Sequence, residues 1–309
     1  MKKTGLTLLV SLALCNFVFG QKNFTLSSPD GKVKAEISIG KTIEYSVFHQ
    51  TDLLVSKSPV SLRFTDGTSP GINPKLKKAT KRSVNEVIDA VIYKKNKISD
   101  NYNELNLSFR GDYNLIFRAY NDGVAYRFST NRKKPFTVEN EQAEFNFPGD
   151  PKIYAAYVND DNGRKDTFEK QFFNSFENQY QHIALSAWNP KRLAFLPLII
   201  EGKNGKKICI TESDLLNYPG MYLHGNGSGA LTGVFAPVPR EIKPGGHNML
   251  QGLVQSREPY IAVCEGKTNF PWRAVIIAEN DYELTNSDMV YKLATPSQLT
   301  DISWIKPGK

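Results

Sequence analysis

Apolar and polar residues alternate one by one along much of this chain. Val33, Ala35, Ile37 and Ile39 point one way, and Lys34, Glu36 and Ser38 the other. Leu105, Leu107 and Phe109 alternate with Asn106 and Ser108, and Val124, Tyr126 and Phe128 with Ala125, Arg127 and Ser129. Successive side chains of a strand leave opposite faces, so this period of two predicts half-buried antiparallel strands with the apolar sets buried. Turn signals separate the runs: Pro29-Asp30-Gly31, Asp66-Gly67, Arg110-Gly111-Asp112, Asn121-Asp122-Gly123, Pro148-Gly149-Asp150 and Asn204-Gly205. Asn121-Asp122-Gly123 lies between Tyr113–Tyr120 and Val124–Thr130 and predicts a hairpin. Leu193 to Ile200 and Arg273 to Ala278 are more continuously apolar. They predict central strands covered on both faces, with Leu193, Phe195, Val275 and Ile277 buried. Helical signals are sparse. Asp166 to Gln179 fits either state, and Ser287 to Leu293 reads as a short helix capped by Asn286 or Ser287. Many strands at hairpin spacing with few helices predict an all-β fold, a large antiparallel β-sandwich. There are no repeats, heptads or low-complexity segments.

The N-terminus breaks the pattern. Lys2 and Lys3 precede a largely apolar core, Leu6 to Leu14, too short to span a bilayer. Val18 and Gly20 then give a small-residue cleavage pattern, so residues 1–20 read as a secretory signal and Gln21 as the mature start. Leu14 precedes Cys15 where a lipobox takes a small side chain, which argues against a lipoprotein. The mature chain is expected to be periplasmic or secreted, with no membrane span. Just under 290 residues remain, with 40% hydrophobic and 23% charged residues over the whole chain, as in a soluble globular protein. The formal charge of +8 falls to about +6 once Lys2 and Lys3 leave with the signal. The densest basic cluster, Lys75, Lys77, Lys78, Lys81 and Arg82, has no aromatic interleaving and reads as a solvated loop rather than a nucleic-acid patch. Cys209 and Cys264 each sit in an apolar run and read as buried free thiols.

Several kinds of chemistry find no support. Gly225-Asn226-Gly227-Ser228-Gly229 lacks the spacing of a nucleophile elbow and reads as a tight turn between Tyr222–His224 and Leu231–Phe235. His49, His182, His224 and His247 are isolated, and no cysteines are paired at zinc spacing. Asp160-Asp161-Asn162-Gly163 with Glu169 hints at a calcium loop. With Gly163 at the loop's sixth position, the first position would be Val158, which has no side-chain oxygen, so the segment reads as an Asx-rich turn.

The most informative stretch is Ile210 to Leu223. An apolar strand, Lys207 to Ile210, runs into two closely spaced carboxylates, Glu212 and Asp214. A turn with Asn217, Pro219 and Gly220 follows, then a second apolar strand. Acids at a strand end can offer hard oxygen ligands to a cation or a polyol. If the strand ran on through both, Glu212 and Asp214 would share a face, side by side rather than across a glycosidic bond.

The chain resembles the N-terminal domain of glycoside hydrolase family 97. The resemblance rests on Leu26-Ser27-Ser28-Pro29-Asp30-Gly31-Lys32, Asn121-Asp122-Gly123-Val124-Ala125-Tyr126-Arg127, Ser175-Phe176-Glu177-Asn178 and Thr211-Glu212-Ser213-Asp214. It continues through Tyr218-Pro219-Gly220-Met221-Tyr222-Leu223, Pro271-Trp272-Arg273 and Ile302 to Lys309, and so covers nearly all of the mature chain. It implies a β-super-sandwich similar to galactose mutarotase over residues 21–300. Residues 301–309 would begin the linker to a (β/α)8 catalytic barrel. Members are calcium-dependent exo-α-glucosidases or α-galactosidases whose catalytic carboxylates lie on the barrel. The N-terminal domain contributes one glutamate to the calcium and sugar site, and Glu212 matches it. The resemblance thus implies Glu212, Asp214 and Tyr218 at the substrate, Glu212 on the metal, and no catalytic residue on this chain.

The chain departs from the family in stopping at Lys309, where the barrel would begin. Its expected role is therefore the non-catalytic module of a family 97-type α-glycosidase, inactive alone. Its partners would be α-linked glucosides or galactosides and the family 97 barrel, in cis or in trans, with no nucleic acid. The alternative is a standalone carbohydrate-binding module that uses exposed Trp and Tyr as stacking platforms.

Overall fold

The computed structural model describes residues 21–172, 177–227 and 229–306. The expected signal at residues 1–20, Ser175 and Phe176 of one family motif, Ser228 of the glycine-rich turn and the last three residues of the expected linker lie outside the described residues.

The alternating runs form two large antiparallel sheets. The first has eight strands. Its path runs Lys22–Ser27, Val33–Ile39, Ile43–His49, Asp52–Phe64, Phe136–Asn146, Ala230–Phe235 and Met221–Gly225, with Ala262–Cys264 added beside Phe136–Asn146. The second has ten strands. Its path runs Gln181–Ala184, Lys152–Ala155, Leu198–Glu201, Lys207–Ser213, Trp272–Ala278, Gly123–Asn131, Tyr113–Tyr120, Lys97–Phe109 and Leu76–Asp89, with Lys267–Asn269 beside Gly123–Asn131. The inner faces meet in one continuous core, for instance where Tyr45 of the first sheet packs on Phe117 and Tyr126 of the second, at 6.0 and 5.2 Å. This is the β-sandwich that the period of two predicts. Leu105, Leu107, Phe109, Val124, Tyr126 and Phe128 are all buried.

The Asn121-Asp122-Gly123 hairpin forms as expected, with Tyr120 opposite Gly123. A side-chain carbon on Gly123 would stand 2.3 Å from the carbonyl oxygen of Val275, so only glycine lets the neighbouring strand approach this closely. The strand Trp272–Ala278 is buried at every residue. Its inner face joins the main core. Its outer face is covered by the helix Met289–Leu293, in a second apolar cluster with Tyr120, Cys209, Trp272 and Ile276. Asn280 caps a further helix, Asp281–Asn286, by accepting from the Glu283 amide at 3.0 Å.

Five expectations need correction. Leu193 to Ile200 is not one central strand: only Leu198–Glu201 is, with Ala194 making isolated bridges, and Pro197 interrupts the run because it has no N–H to donate. Leu193 is buried, but Phe195 is only half-buried. The basic cluster is not a loop: Lys77, Lys78, Lys81 and Arg82 lie on the edge strand Leu76–Asp89, where lysines discourage further pairing. The strand after Lys207 does not stop at Ile210 but runs through Glu212 to Ser213. The helix expected from Ser287 starts at Met289, with Asp288 at the capping position and the Ser287 hydroxyl accepting from the Met289 amide at 3.3 Å. In the ambiguous segment 166–179, a single helical turn forms at Phe168–Gln171.

Candidate functional site

Glu212 is the fixed point of a cleft at one end of the sandwich. Its strand pairs it with Arg273, and Arg273 with Tyr126, so both charged residues take inward positions that elsewhere hold Ile208, Ile210 and Val275. Charge on an inner face is costly unless it is paired. Arg273, 1% exposed, donates from Nε and Nη2 to the two oxygens of Glu141, each at 2.8 Å, and from Nη1 to Glu212 at 2.5 Å. Glu141 belongs to the opposite sheet, so this bidentate pair ties the two sheets together through the core.

The turn after Glu212 completes its setting. The chain crosses from the ten-stranded sheet to the eight-stranded one and enters it at Met221, whose amide N–H donates to both oxygens of Glu212, at 3.1 and 3.2 Å. Tyr218 leans its ring on Phe235 and Phe270 in edge-to-face contacts. Its hydroxyl is buried beside Glu141 without a well-formed hydrogen bond. Burial raises the Tyr218 phenol far above its usual value, and Glu141 adds to the shift. Burial also raises the Glu212 carboxyl, and the Arg273 charge and the Met221 amide only partly reverse this. For Arg273, burial works against the charged form, but Glu141 and then Glu212 outweigh it and hold the guanidinium above its ordinary value.

Glu212 opens into a cleft of about 580 Å³, walled by Phe195, Tyr218, Met221, Tyr222 and Arg257. The Glu212 side chain keeps 14% of its surface exposed, whereas Glu141 behind it keeps 4%. The aromatic walls suit the C–H faces of a sugar, and Glu212 can accept from sugar hydroxyls. Among the described residues no second carboxylate faces Glu212 across the cleft, so the described cleft offers no acid/base pair for glycoside cleavage. Nor do three or more His, Cys, Asp or Glu side chains among the described residues gather to hold a metal ion. With one amide and one guanidinium bond, Glu212 still has acceptor capacity toward the cleft, so it fits one ligand of a cation. It does not fit a whole site of about six to eight oxygens.

The structure does not bring Asp214 to this cleft. Asp214 takes a left-handed conformation, φ 60°, which ends the alternation. Its carboxylate lies on the outer face of the sheet, accepting from Arg127 Nη1 at 3.1 Å and from the Thr295 amide at 2.8 Å. Tyr218 does reach the cleft, as wall rather than as hydroxyl donor. Arg273 and Glu141 were missed as functional residues. Each had a signal in the sequence: a charge inside an otherwise apolar run at Arg273 to Ala278, and an acid in register with Ala143 and Phe145.

The other candidates resolve plainly. In the Asx-rich turn, the Asp161 amide donates to Asn159, and Asp160, Asp161 and Glu169 each pair with an arginine, namely Arg192, Arg164 and Arg257. Cys209 and Cys264 are free and buried. Of three tryptophans, Trp188 and Trp272 are buried and Trp304 is exposed, and Tyr180 and Tyr282 are exposed as well. Among the described residues no helix is long and apolar enough to cross a membrane.

Comparison with known proteins agrees with this architecture. The family profile described as Glycosyl-hydrolase 97 N-terminal matches residues 26–296. Across its full length the chain is 43% identical to a retaining alpha-galactosidase of Bacteroides thetaiotaomicron, of which it covers 46%. It is 24% identical to a probable retaining alpha-galactosidase of Streptomyces bingchenggensis, of which it covers 45%. The chain thus spans about half the length of the curated relatives it matches. A glycoside hydrolase family 97 enzyme from Pseudoalteromonas sp. strain K8, solved in complex with acarbose, aligns with a TM-score of 0.74 at 23% identity, over 92% of this chain and 40% of that one. A beta-arabinopyranosidase aligns with a TM-score of 0.68 at 19% identity. At these identities the two structures speak for the fold.

Proposed function

The chain belongs to the glycosyl-hydrolase 97 N-terminal family, and from that premise we propose that it is the non-catalytic module of an exported exo-α-glycosidase acting on α-linked galactosides or glucosides. In this reading it walls one side of the sugar pocket and gives Glu212 to a calcium ion whose remaining ligands come from a (β/α)8 catalytic domain. The observation that carries the reading is the setting of Glu212: a single carboxylate, pinned by Arg273 and the Met221 amide, facing an aromatic cleft. A calcium ion bound there would add positive charge next to sugar hydroxyls. This chain's own contribution is positional. Arg273 and Met221 fix the carboxylate, and Tyr218, Tyr222 and Phe195 exclude water and orient the sugar ring. The leader pattern at residues 1–20 supports export.

Calcium calorimetry tests this. The mature chain alone should bind calcium weakly, on the order of millimolar, because one carboxylate supplies too few oxygens. Adding the catalytic half of the Bacteroides thetaiotaomicron relative should tighten binding in a Glu212-dependent way. Micromolar binding by the chain alone, unchanged by Glu212→Gln, would remove Glu212 from the metal.

A further inference from the structure

A second polar site lies on the opposite side of the ten-stranded sheet from the Glu212 cleft. Arg82, Arg118 and Arg127 converge there from three strands, Leu76–Asp89, Tyr113–Tyr120 and Gly123–Asn131. Between them stands Glu104, on the strand Lys97–Phe109. Arg82 donates to Glu104 from Nε at 2.7 Å and from Nη2 at 3.1 Å. Arg118 donates from Nε at 2.9 Å. Arg127 reaches only Asp214, through Nη1 at 3.1 Å, and its Nε is buried without a partner. Asp100 and Glu86 also act on Arg118 and Arg82 without an ion pair among the described residues, but the depression itself is lined by these three arginines against a single carboxylate, Glu104. Lys81 at the rim adds another cation, donating to the Thr25 carbonyl.

These residues line a depression of about 440 Å³, together with Asn106 and Ile116. Its geometry suits an anion. Arg118 lies over the rings of Tyr102 and Trp272, at 4.3 and 4.8 Å, and Arg127 over Trp272 at 4.4 Å. Stacking holds the guanidinium planes and leaves edge nitrogens for acceptors, the arrangement that binds oxyanions in bidentate fashion. The side chains of Arg118 and Arg127 are each only 15% exposed. Burial followed by the charge of Arg118 pulls the Arg127 guanidinium below its ordinary value, whereas Tyr120 and Glu104 outweigh burial at Arg118 and hold its guanidinium above it, so Arg127 is the less compensated of the two. Protection of the sheet edge explains the lysines on Leu76–Asp89. It does not explain Arg118 and Arg127, which lie on the third and fourth strands in from that edge.

We propose that this depression is an oxyanion site, taking the sulfate, phosphate or carboxylate group of an acidic saccharide or the same anion free in solution. Arg118 and Arg127 would hold the group, and the more exposed Arg82 would close over it. The proposal does not depend on Glu212 or on calcium.

Calorimetry on the mature chain tests it, with sodium sulfate against sodium chloride at matched ionic strength, alongside glucose 6-sulfate and galacturonate. Saturable heat with sulfate and none with chloride is expected. Binding should weaken about tenfold or more in Arg127→Gln, the loss expected for one charge-assisted hydrogen bond. Arg127→Lys keeps the charge but loses the fork and should weaken binding with the fold intact. Glu104→Gln removes the competing carboxylate and should tighten binding, the reverse of what a purely structural Glu104 would do. Tighter binding of glucose 6-sulfate or galacturonate than of sulfate assigns the site to an acidic saccharide, and equal binding to the free anion. No saturable heat with any of the three anions on folded protein, or binding unchanged in both Arg127 variants, would overturn the proposal.

Discussion

Glu212 and Asp214 are two residues apart and stand on opposite faces of one sheet. Strand alternation alone would place them together. The left-handed backbone at Asp214 turns its carboxylate outward, to Arg127 and the Thr295 amide, while Glu212 stays inward against Arg273. Ser213 between them donates to the Val290 carbonyl at 2.6 Å. The Thr-Glu-Ser-Asp segment therefore does two jobs. It aims one acid into the cleft, and it fastens the segment that follows the last helix to the back of the same strand.

The Glu141–Arg273 pair should be among the most sensitive points of the fold. It joins the two sheets and is almost fully buried. Glu141→Gln leaves a buried guanidinium with Glu212 as its only carboxylate partner and should cost about 3–5 kcal/mol, the usual penalty for breaking a buried ion pair. Urea unfolding followed by fluorescence measures it. A loss within experimental error would mean the pair does not hold the sandwich.

Glu104 should shape the acid limb of stability. Burial opposes its charge, but hydrogen bonds from Arg82 and Arg118 outweigh this and lower its carboxyl below the usual value. A carboxylate depressed in the folded state contributes stability that is complete above the unfolded value of about 4.3, and that is lost as pH falls through the lower folded value. Glu104→Gln should therefore flatten melting temperature against pH below about pH 4 and lower it at neutral pH. Parallel acid limbs in wild type and variant would contradict this.

Cys209 and Cys264 should resist alkylation. Burial pushes the Cys209 thiol up to about 12 and the Cys264 thiol up to about 11. The thiolate is the nucleophile, and neither group offers one near pH 8. Iodoacetamide should leave both unmodified in the folded mature chain, as read by intact mass, and modify both in guanidinium chloride. Rapid labelling of the folded protein would show that one of them is accessible.

Much of the fold was legible because it depends on local pattern. Val33 to Ile39, Leu105 to Phe109 and the Asn121-Asp122-Gly123 hairpin announce themselves through alternation and turn chemistry. Arg273 to Ala278 read as a central strand because both of its faces meet apolar partners, one in the main core and one under the last helix. Leu193 to Ile200 has the same composition, but one proline breaks it, and apolarity alone does not separate the two cases. The lysine cluster was misplaced because an edge strand with an exposed face has the composition of a loop.

At the site, Glu212 was legible through its motif, and its surroundings were not. Its partner Arg273 lies 61 positions later in the chain, and Glu141, which shares that guanidinium, lies on the other sheet, so no local spacing links the three. The separation of Glu212 from Asp214 turns on a single backbone dihedral.

The central claim is that this chain completes a sugar site through Glu212. The most direct measurement is a chimera in which this chain replaces the N-terminal half of the Bacteroides thetaiotaomicron retaining alpha-galactosidase, to which it is 43% identical. Hydrolysis of an aryl α-galactoside with calcium present reads the outcome. The isolated chain should match a buffer blank, and the chimera should turn over. Glu212→Gln in the chimera should lower kcat/KM by about 10–100-fold, the scale of losses when a group supporting a bound metal is removed. An active chimera whose kcat/KM is unchanged by Glu212→Gln would contradict the claim.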